Sequence, residues 1–451
     1  MIIQFKRAVS FLRSVTRVHP GPELAESLAP KLHQSPPKVP NNSAMSGAAI
    51  ESRWAMLPAA NAQHELLDPH TRDQAACYAR SIENFVGTVK VPVGVIGPLR
   101  VNGVAAQGDY YVPLATTEAA LVASYGRGAR LLSAVGGCSA VTLRTGITRA
   151  PGFAFRSLDE AGRFVAWVLG AIPTLTRVAA TTSRFVRLQD TQVSAEGNHV
   201  YLLFDFHTGD AAGQNMATIA TQAICDHIRR ESPVQPRYAF LEANHSGDKK
   251  ASAQSFMMGR GRSVTAEAVI PRVLVEAQLR TTPEMMANYF KMAALGGVLS
   301  GTIGVQGHFA NGLAALFLAC GQDVACVAEA ATGVTRLEVS DDGALYASVT
   351  LPSLPVGTVG GGTALPSQRA CLDLLGLAGA GHANAFAEVC AAVVLGGEIS
   401  IVGALASDEF TRAHQRLARG REATAGPRAG DAFGPADPPH TARAIATPAG
   451  G

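Results

Sequence analysis

Charge is scarce in this chain: 16% of its 451 residues are Asp, Glu, Lys or Arg, and the formal net charge is only +3. No run of Lys and Arg is interleaved with aromatics, which excludes the electrostatic surface a nucleic acid requires. Cysteines number seven, and no two stand at Cys-x-x-Cys spacing. That argues against a disulfide framework or a zinc site and fits a reducing compartment, so no metal is expected. The Gly-x-Gly-x-x-Gly dinucleotide fingerprint is also missing, which disfavours a Rossmann fold. The longest uncharged stretch runs from Met292 to Gln322, bounded by Lys291 and Asp323. It holds seven glycines together with Gln306, His308 and Asn311, too much glycine and polarity for an ordinary membrane span. It reads as buried core carrying polar side chains, with a long helix capped by Asn311 and running to Ala330.

What is present is a globular composition, 47% hydrophobic, in a chain long enough for two or three domains. Residues 1–47 form a basic extension and a proline-rich linker without ordered structure. Their first 20 residues place Lys6, Arg7, Arg13 and Arg17 against an apolar face, which leaves an organelle transit peptide as a minority reading beside a cytoplasmic location. Residues 48–82 read as a small helical domain. A strand at Tyr110–Leu114 turns through Thr116 and Thr117 into a helix, which puts Glu118 at its first turn, where a carboxylate complements the helix dipole with or without chemistry.

The texture changes at 151–240, where helical and strand patterns alternate, the pattern of an α+β domain inserted between 83–150 and 241–422. Inside it, the strand at Val200–Phe206 runs into "GDAAGQNM", a glycine turn and a helix, the arrangement that offers backbone N–H groups to phosphate. Further on come "GDKK", a hairpin at Asp342-Gly343, and the glycine run from Gly357 to Gly362, which implies close approach by a ligand or another strand. Helices at 368–375 and 383–405 close the core, and 423–451 has the composition of a disordered tail.

Taken together and in this order, "ENFVG", "PLATTEAALVAS", "GDAAGQNM", "GDKK", "GHFAN", "ACGQD" and "GTVGGGT" resemble the 3-hydroxy-3-methylglutaryl-CoA reductases, in the class shared by eukaryotes and archaea. The resemblance covers roughly residues 80–420. It implies an α+β fold: a large domain built round a central long helix, an inserted ferredoxin-like cofactor domain at 151–240, and a small N-terminal helical region. It implies reduction of the HMG-CoA thioester to mevalonate by two hydride transfers from NADPH, with NADH as the lesser option. It also implies a homodimer or homotetramer whose active site lies between subunits, here without the family's membrane anchor.

Residue by residue, the resemblance makes Lys249 the oxyanion-stabilising cation, Glu118 the proton donor and Asp323 their neighbour. His414 becomes the acid for the departing CoA thiolate. It assigns Arg149, Lys291, His308 and Asn311 to the acyl group and Arg127, Arg130 and Arg280 to CoA phosphates. Ser183, Arg184, Asp210, Gly213, Gln214 and Asn215 fall to the dinucleotide, with Arg184 favouring NADPH because a 2′-phosphate needs a cation. The chemistry agrees in kind: each hydride transfer leaves an oxyanion to be stabilised and protonated, and a carboxyl that donates near neutrality needs burial or a second carboxylate to raise its pKa. One departure stands out. Where the family reads S-G-N-Y-C-x-D-K-K, this chain reads "LEANHSGDKK", which brings Glu242 to the active-site loop. The rival readings are a reductase for a different CoA thioester and an impaired homologue serving as a CoA-binding or scaffold protein.

Overall fold

A computed structural model of the chain describes residues 42–58 and 60–407, with 6–7, 9–10, 26–31 and 38–39. His414, most of the basic N-terminal segment and the tail after 423 lie outside the described residues. Those described divide into two compact units: one ends at Lys90 and includes Ala364–Pro366, the other comprises Val91–Thr363 and the residues from Ser367.

In the first unit, helix α1 (Gly47–Trp54) begins where Ser46 Oγ accepts from Ala49 N. Its buried face sets Ile50 and Trp54 against Leu67, Ala75 and Phe85. Arg53 Nη1 and Trp54 Nε1 donate to the carbonyls of Phe85 and Val86 at 2.9 Å, which pairs these two donors of buried side chains.

The second unit is mixed α+β with two apolar cores. Eleven strands make its sheet: β1 (Val93–Gly103), β2 (Gln107–Ala115), β3 (Cys138–Arg149), β4 (Gly152–Ala154), β5 (Arg187–Glu196), β6 (His199–His207), β7 (Tyr238–Phe240), β8 (Gly261–Ile270), β9 (Gly304–Val305), β10 (Gly333–Val339) and β11 (Leu345–Leu354). The order is β7-β4-β6-β3-β8-β11-β10-β9, with β5 on β6, and β1 on both β2 and β3. Strand β3 belongs to both cores. Its first half pairs with β8 and buries Cys138 and Ala140 in the larger core, while Ile147–Arg149 pair with β6 and Ile147 enters the smaller one. Arg149 therefore sits at the seam.

The larger core surrounds α7 (Ala383–Ala406), whose residues are buried on nearly every side. It crosses α2 (Leu121–Ala134) through glycines: a Cβ on Gly128 would lie 1.9 Å from the Gly396 carbonyl oxygen. Only glycine permits that approach. One helix among the described residues, α7, is apolar and long enough to cross a membrane, and here it is core. In the smaller core α3 (Leu158–Ala180) packs on β5 and β6, and α4 (Gln214–Glu231) on α3 and β3, around Phe153, Phe164, Phe204 and Phe206.

The uncharged stretch departs from expectation at both ends. Met292, Leu295, Val298 and Leu299 on α5 (Pro283–Ser300) are 68–89% exposed. The helix read from Asn311 to Ala330 is only α6 (Phe309–Ala319), and its N-cap is His308, with Asn311 inside the first turn. It stops because Gly321 takes φ +67° against Gly362, whose carbonyl oxygen lies 2.3 Å from where a Cβ would be. The closely approached glycines of 357–362 thus meet other segments of this chain. Gly357 abuts the backbone of residues 210–212, and Gly362 abuts Gly321. The hairpin at Asp342-Gly343 is present, Gly343 having φ +79° between β10 and β11.

Candidate active site

Lys249 and Asp323 meet. Lys249 Nζ lies 2.9 Å from Asp323 Oδ2, and both side chains are about two-fifths exposed, at 41% and 39%. The hydrogen bond that Lys249 donates to Asp323 holds the lysine above its ordinary value, against the opposing effect of partial burial. Asp323 is fixed in turn by Ala325 N, which donates to its Oδ1 at 3.1 Å. Lys249 is one of the few non-glycine residues in the left-handed region, at φ +58°, a conformation that costs energy unless its surroundings enforce it. The enforcement is visible: Lys249 N donates to Glu329 Oε1 at 3.1 Å, and Arg260 Nη1 donates to the same oxygen at 2.8 Å.

Behind the lysine lies a charged cluster. Arg260 and Glu329 are wholly buried, and burial pushes the Glu329 carboxyl up although Arg260 and the Lys249 N–H pull it down. Arg260 Nη2 is 3.0 Å from Asp248 Oδ1, off the hydrogen-bonding axis, and Asp248 Oδ2 accepts from Arg149 Nη1 at 3.0 Å. Arg149 Nη1 also lies 3.4 Å from Glu242 Oε2, which accepts from Ala150 N at 3.2 Å. The residue assigned to a substrate carboxylate is thus already among carboxylates of its own chain. Asp248, Cys326 and Glu329 bring three donor atoms within 4.8 Å of one another, but Arg260 already supplies the positive charge there. Burial pushes the Cys326 thiol far up as well, which opposes the thiolate that binds metals.

Glu118 sits elsewhere. It occupies the turn before α2, not its first turn, and is exposed, with Asn311 Nδ2 donating to its Oε2 at 2.8 Å. Neither burial nor a second carboxylate stands beside it among the described residues, since Asp323 is engaged with Lys249. Among the described residues no hydrogen bond or ion pair joins Glu118–Asn311 to Lys249–Asp323. His308 is tied down by Glu398, whose Oε1 is 2.9 Å from Nδ1, and its ring stacks on Tyr125. Lys291 is exposed on α5 with no ion pair among the described residues.

Of the arginines assigned to CoA, Arg127 donates from Nε and Nη2 to Ser400 Oγ and O of α7 at 3.1 and 2.6 Å. Arg130 is exposed one turn on, and Arg280 is exposed at the C-cap of the helix Arg272–Leu279.

The glycine turn has the geometry the sequence foretold, strand β6, a turn, then α4. Gly213 is the N-cap at φ +83°, no side chain caps the helix, and a Cβ there would strike Thr208 Oγ1 at 2.1 Å. Arg184 stacks on Phe185, which reaches Gly209 of the turn. Ser183 Oγ accepts from Phe185 N and braces that loop, and Asn215 is exposed in the first turn of α4. Gln214 Nε2 donates to Cys326 Sγ at 2.7 Å, tying the turn to the Asp323 loop. Asp210 has a different task from the one assigned to it. Its carboxylate accepts from Gly381 N at 2.8 Å and Ala383 N at 3.3 Å, so it caps α7.

Sequence reasoning passed over Arg260, Glu329, Glu388 and Glu398. A signal existed for the last two: they are the only charges in the 24 residues of α7, and an acid in an apolar helix needs buried donors. Glu388 takes the N–H groups of Ala105, Ala106 and Thr142, and Glu398 those of Gly307 and His308 with the Thr335 hydroxyl.

The chain matches the family model described as hydroxymethylglutaryl-coenzyme A reductase over residues 49–419. It is 45% identical over 348 residues to the 3-hydroxy-3-methylglutaryl-coenzyme A reductase of Pyrococcus horikoshii, covering 75% of this chain and 84% of that one. It is 47% identical over 350 residues to that of Aeropyrum pernix, covering 76% and 83%. Among solved structures it is similar to the class II enzyme of Streptococcus pneumoniae bound to NADPH, with a TM-score of 0.60 and 20% identity over 79% of this chain and 96% of that one. That likeness concerns the mixed α+β fold.

Proposed function

The chain belongs to the hydroxymethylglutaryl-coenzyme A reductase family, and on that premise we propose that it converts (S)-3-hydroxy-3-methylglutaryl-CoA, two NADPH and two protons into mevalonate, CoA and two NADP+. The observation that carries this reading is the Lys249–Asp323 pair, a cation kept protonated and aimed beside a buried charged cluster. NADPH supplies the two hydrides. Lys249 stabilises the oxyanion that each transfer leaves on the acyl oxygen, first that of the hemithioacetal and then that of the alcohol. His414 protonates the thiolate as the carbon–sulfur bond breaks, and Glu118, oriented by Asn311, delivers the proton that completes the alcohol. Arg149, Lys291 and His308 receive the acyl group, and Arg127, Arg130 and Arg280 the CoA phosphates.

We read residues 151–240 as the cofactor domain of ferredoxin-like type. The element order β4-α3-β5-β6-α4-β7, with β7-β4-β6-β5 across the sheet, supports it. The uncapped start of α4 and the cation of Arg184 fit a phosphate-rich dinucleotide, with Gly213, Gln214 and Asn215 at the turn and Ser183 beside Arg184. We read 83–150 and 241–422 as the large domain round α7, and 48–82 as the N-terminal helical domain.

A second copy of the chain completes the site in this proposal. Two observations favour it: Glu118 and Lys249 stand in separate exposed pairs, and α5 presents Met292, Leu295, Val298 and Leu299 outward. The test is the absorbance of NADPH with HMG-CoA present, together with mevalonate as product. Absence of HMG-CoA-dependent NADPH oxidation would refute the assignment.

A further inference from the structure

Arg149 Nη1 and the N–H of Ala150 converge on one carboxylate oxygen, Oε2 of Glu242, at 3.4 and 3.2 Å. A guanidinium beside a backbone N–H is a receptor for a carboxylate, and here the chain fills it with its own. The fit is imperfect in an informative way. Arg149 Nε and Glu242 Oε1 are both shut off from solvent with no hydrogen-bond partner, although Arg149 is only 8% exposed. Asp248 already pairs with the same Nη1 of Arg149, and with Arg260 behind. Two guanidiniums therefore face the carboxylates of Asp248, Glu242 and Glu329, and a further anion has no unspent positive charge to meet.

We propose that Glu242 is a specificity-determining residue, an internal occupant of the Arg149–Ala150 receptor that the carboxylate end of the acyl substrate has to displace. The inference rests on the reading of Arg149 as the anchor of that carboxylate. Displacement is sterically open, since the Glu242 side chain retains 26% of its exposure while that of Arg149 retains 10%. The glutamate can swing outward and the arginine cannot. The consequence is a lowered affinity for acyl groups that end in a carboxylate, with no loss for neutral acyl groups of the same length.

The test uses the full chain and the variant Glu242→Gln, which keeps the size and removes the charge. Calorimetric titration with glutarate should give a Kd about tenfold lower for the variant, the competing carboxylate having gone. Titration with glutaramide, of the same length but uncharged, should give equal values for both proteins. If Glu242→Gln proves insoluble, Glu242→Ser, which empties the receptor, serves with the same expectations. Glutarate bound equally or more weakly by the variant, bound by neither protein, or tightened in parallel with glutaramide would overturn the proposal. Turnover of HMG-CoA by the unaltered chain is measured separately. Its absence would refute the assigned reaction, whereas the glutarate comparison alone decides the role of Glu242.

Discussion

Lys249 Nζ and Asp323 Oδ2 stand 2.9 Å apart, and the lysine backbone is held in the left-handed region by a carboxylate from another segment, Glu329. The ammonium has both its charge and its position fixed before a substrate arrives, which is what electrostatic stabilisation of an oxyanion requires.

Removing that ammonium should end turnover without unfolding the chain, because Lys249 is two-fifths exposed and no apolar packing depends on it. Lys249→Ala should lower kcat at least about a thousandfold. Asp323→Asn should also move the alkaline limb. Asp323 raises the lysine above 10.5, so activity in the unaltered chain persists past that value and is lost as pH rises through the raised pKa. In the asparagine variant the loss should begin at lower pH. Profiles of kcat against pH for the two proteins check it.

Cofactor choice should follow Arg184. Its guanidinium is exposed beside the glycine turn and free to meet a 2′-phosphate. Arg184→Ala should raise KM for NADPH about tenfold or more and leave KM for NADH unchanged. Equal effects on both would refute the assignment of that loop.

Asp210 separates a capping role from a binding role. Both its oxygens accept N–H groups at the start of α7. Asp210→Ala should lower stability by about 1 kcal/mol in urea denaturation and change KM for NADPH less than twofold. A large rise in KM with unchanged stability would return Asp210 to the cofactor.

Glu398 is the most heavily satisfied carboxylate among the described residues, accepting from Gly307 N, His308 N, His308 Nδ1 and the Thr335 hydroxyl. Burial pushes it up, but the bonds from His308, Thr335 and Gly307 outweigh burial and hold it below its ordinary value of 4.5. Its contribution to stability is therefore full above 4.5 and lost as pH falls through the lowered pKa. Glu398→Ala would leave two backbone N–H groups, a hydroxyl and an imidazole without their acceptor, and should cost about 3 kcal/mol or more. Urea denaturation at pH 7 measures the loss, and the same experiment at progressively lower pH should find the two proteins converging as Glu398 protonates.

Much of this was legible along the chain because it was local. The period change at Tyr110–Leu114, the strand, glycine turn and helix at 200–231, and the hairpin at Gly343 are set by neighbours a few residues apart. Errors arose where distant segments decide. An apolar helix continued past Ala319 in the sequence because nothing near Gly321 forbids it, while in the fold Gly362 presses on that residue. Similarly, absence of charge suggested burial for Met292–Ser300, yet apolar side chains alone do not say whether their cover is the same chain.

By itself the sequence determined the mixed α+β class and the family, since residue types and short motifs are enough for each. The family resemblance set Asp323 beside both Lys249 and Glu118, and the tertiary structure decided between them and fixed the other pairings. Asp323 goes to Lys249 and not to Glu118, Asp210 goes to a helix N-terminus, and Glu242 goes to Arg149. The reason is physical: the energy of a charged group depends on partners within about 4 Å, and in this chain those partners lie tens to nearly two hundred residues away in sequence.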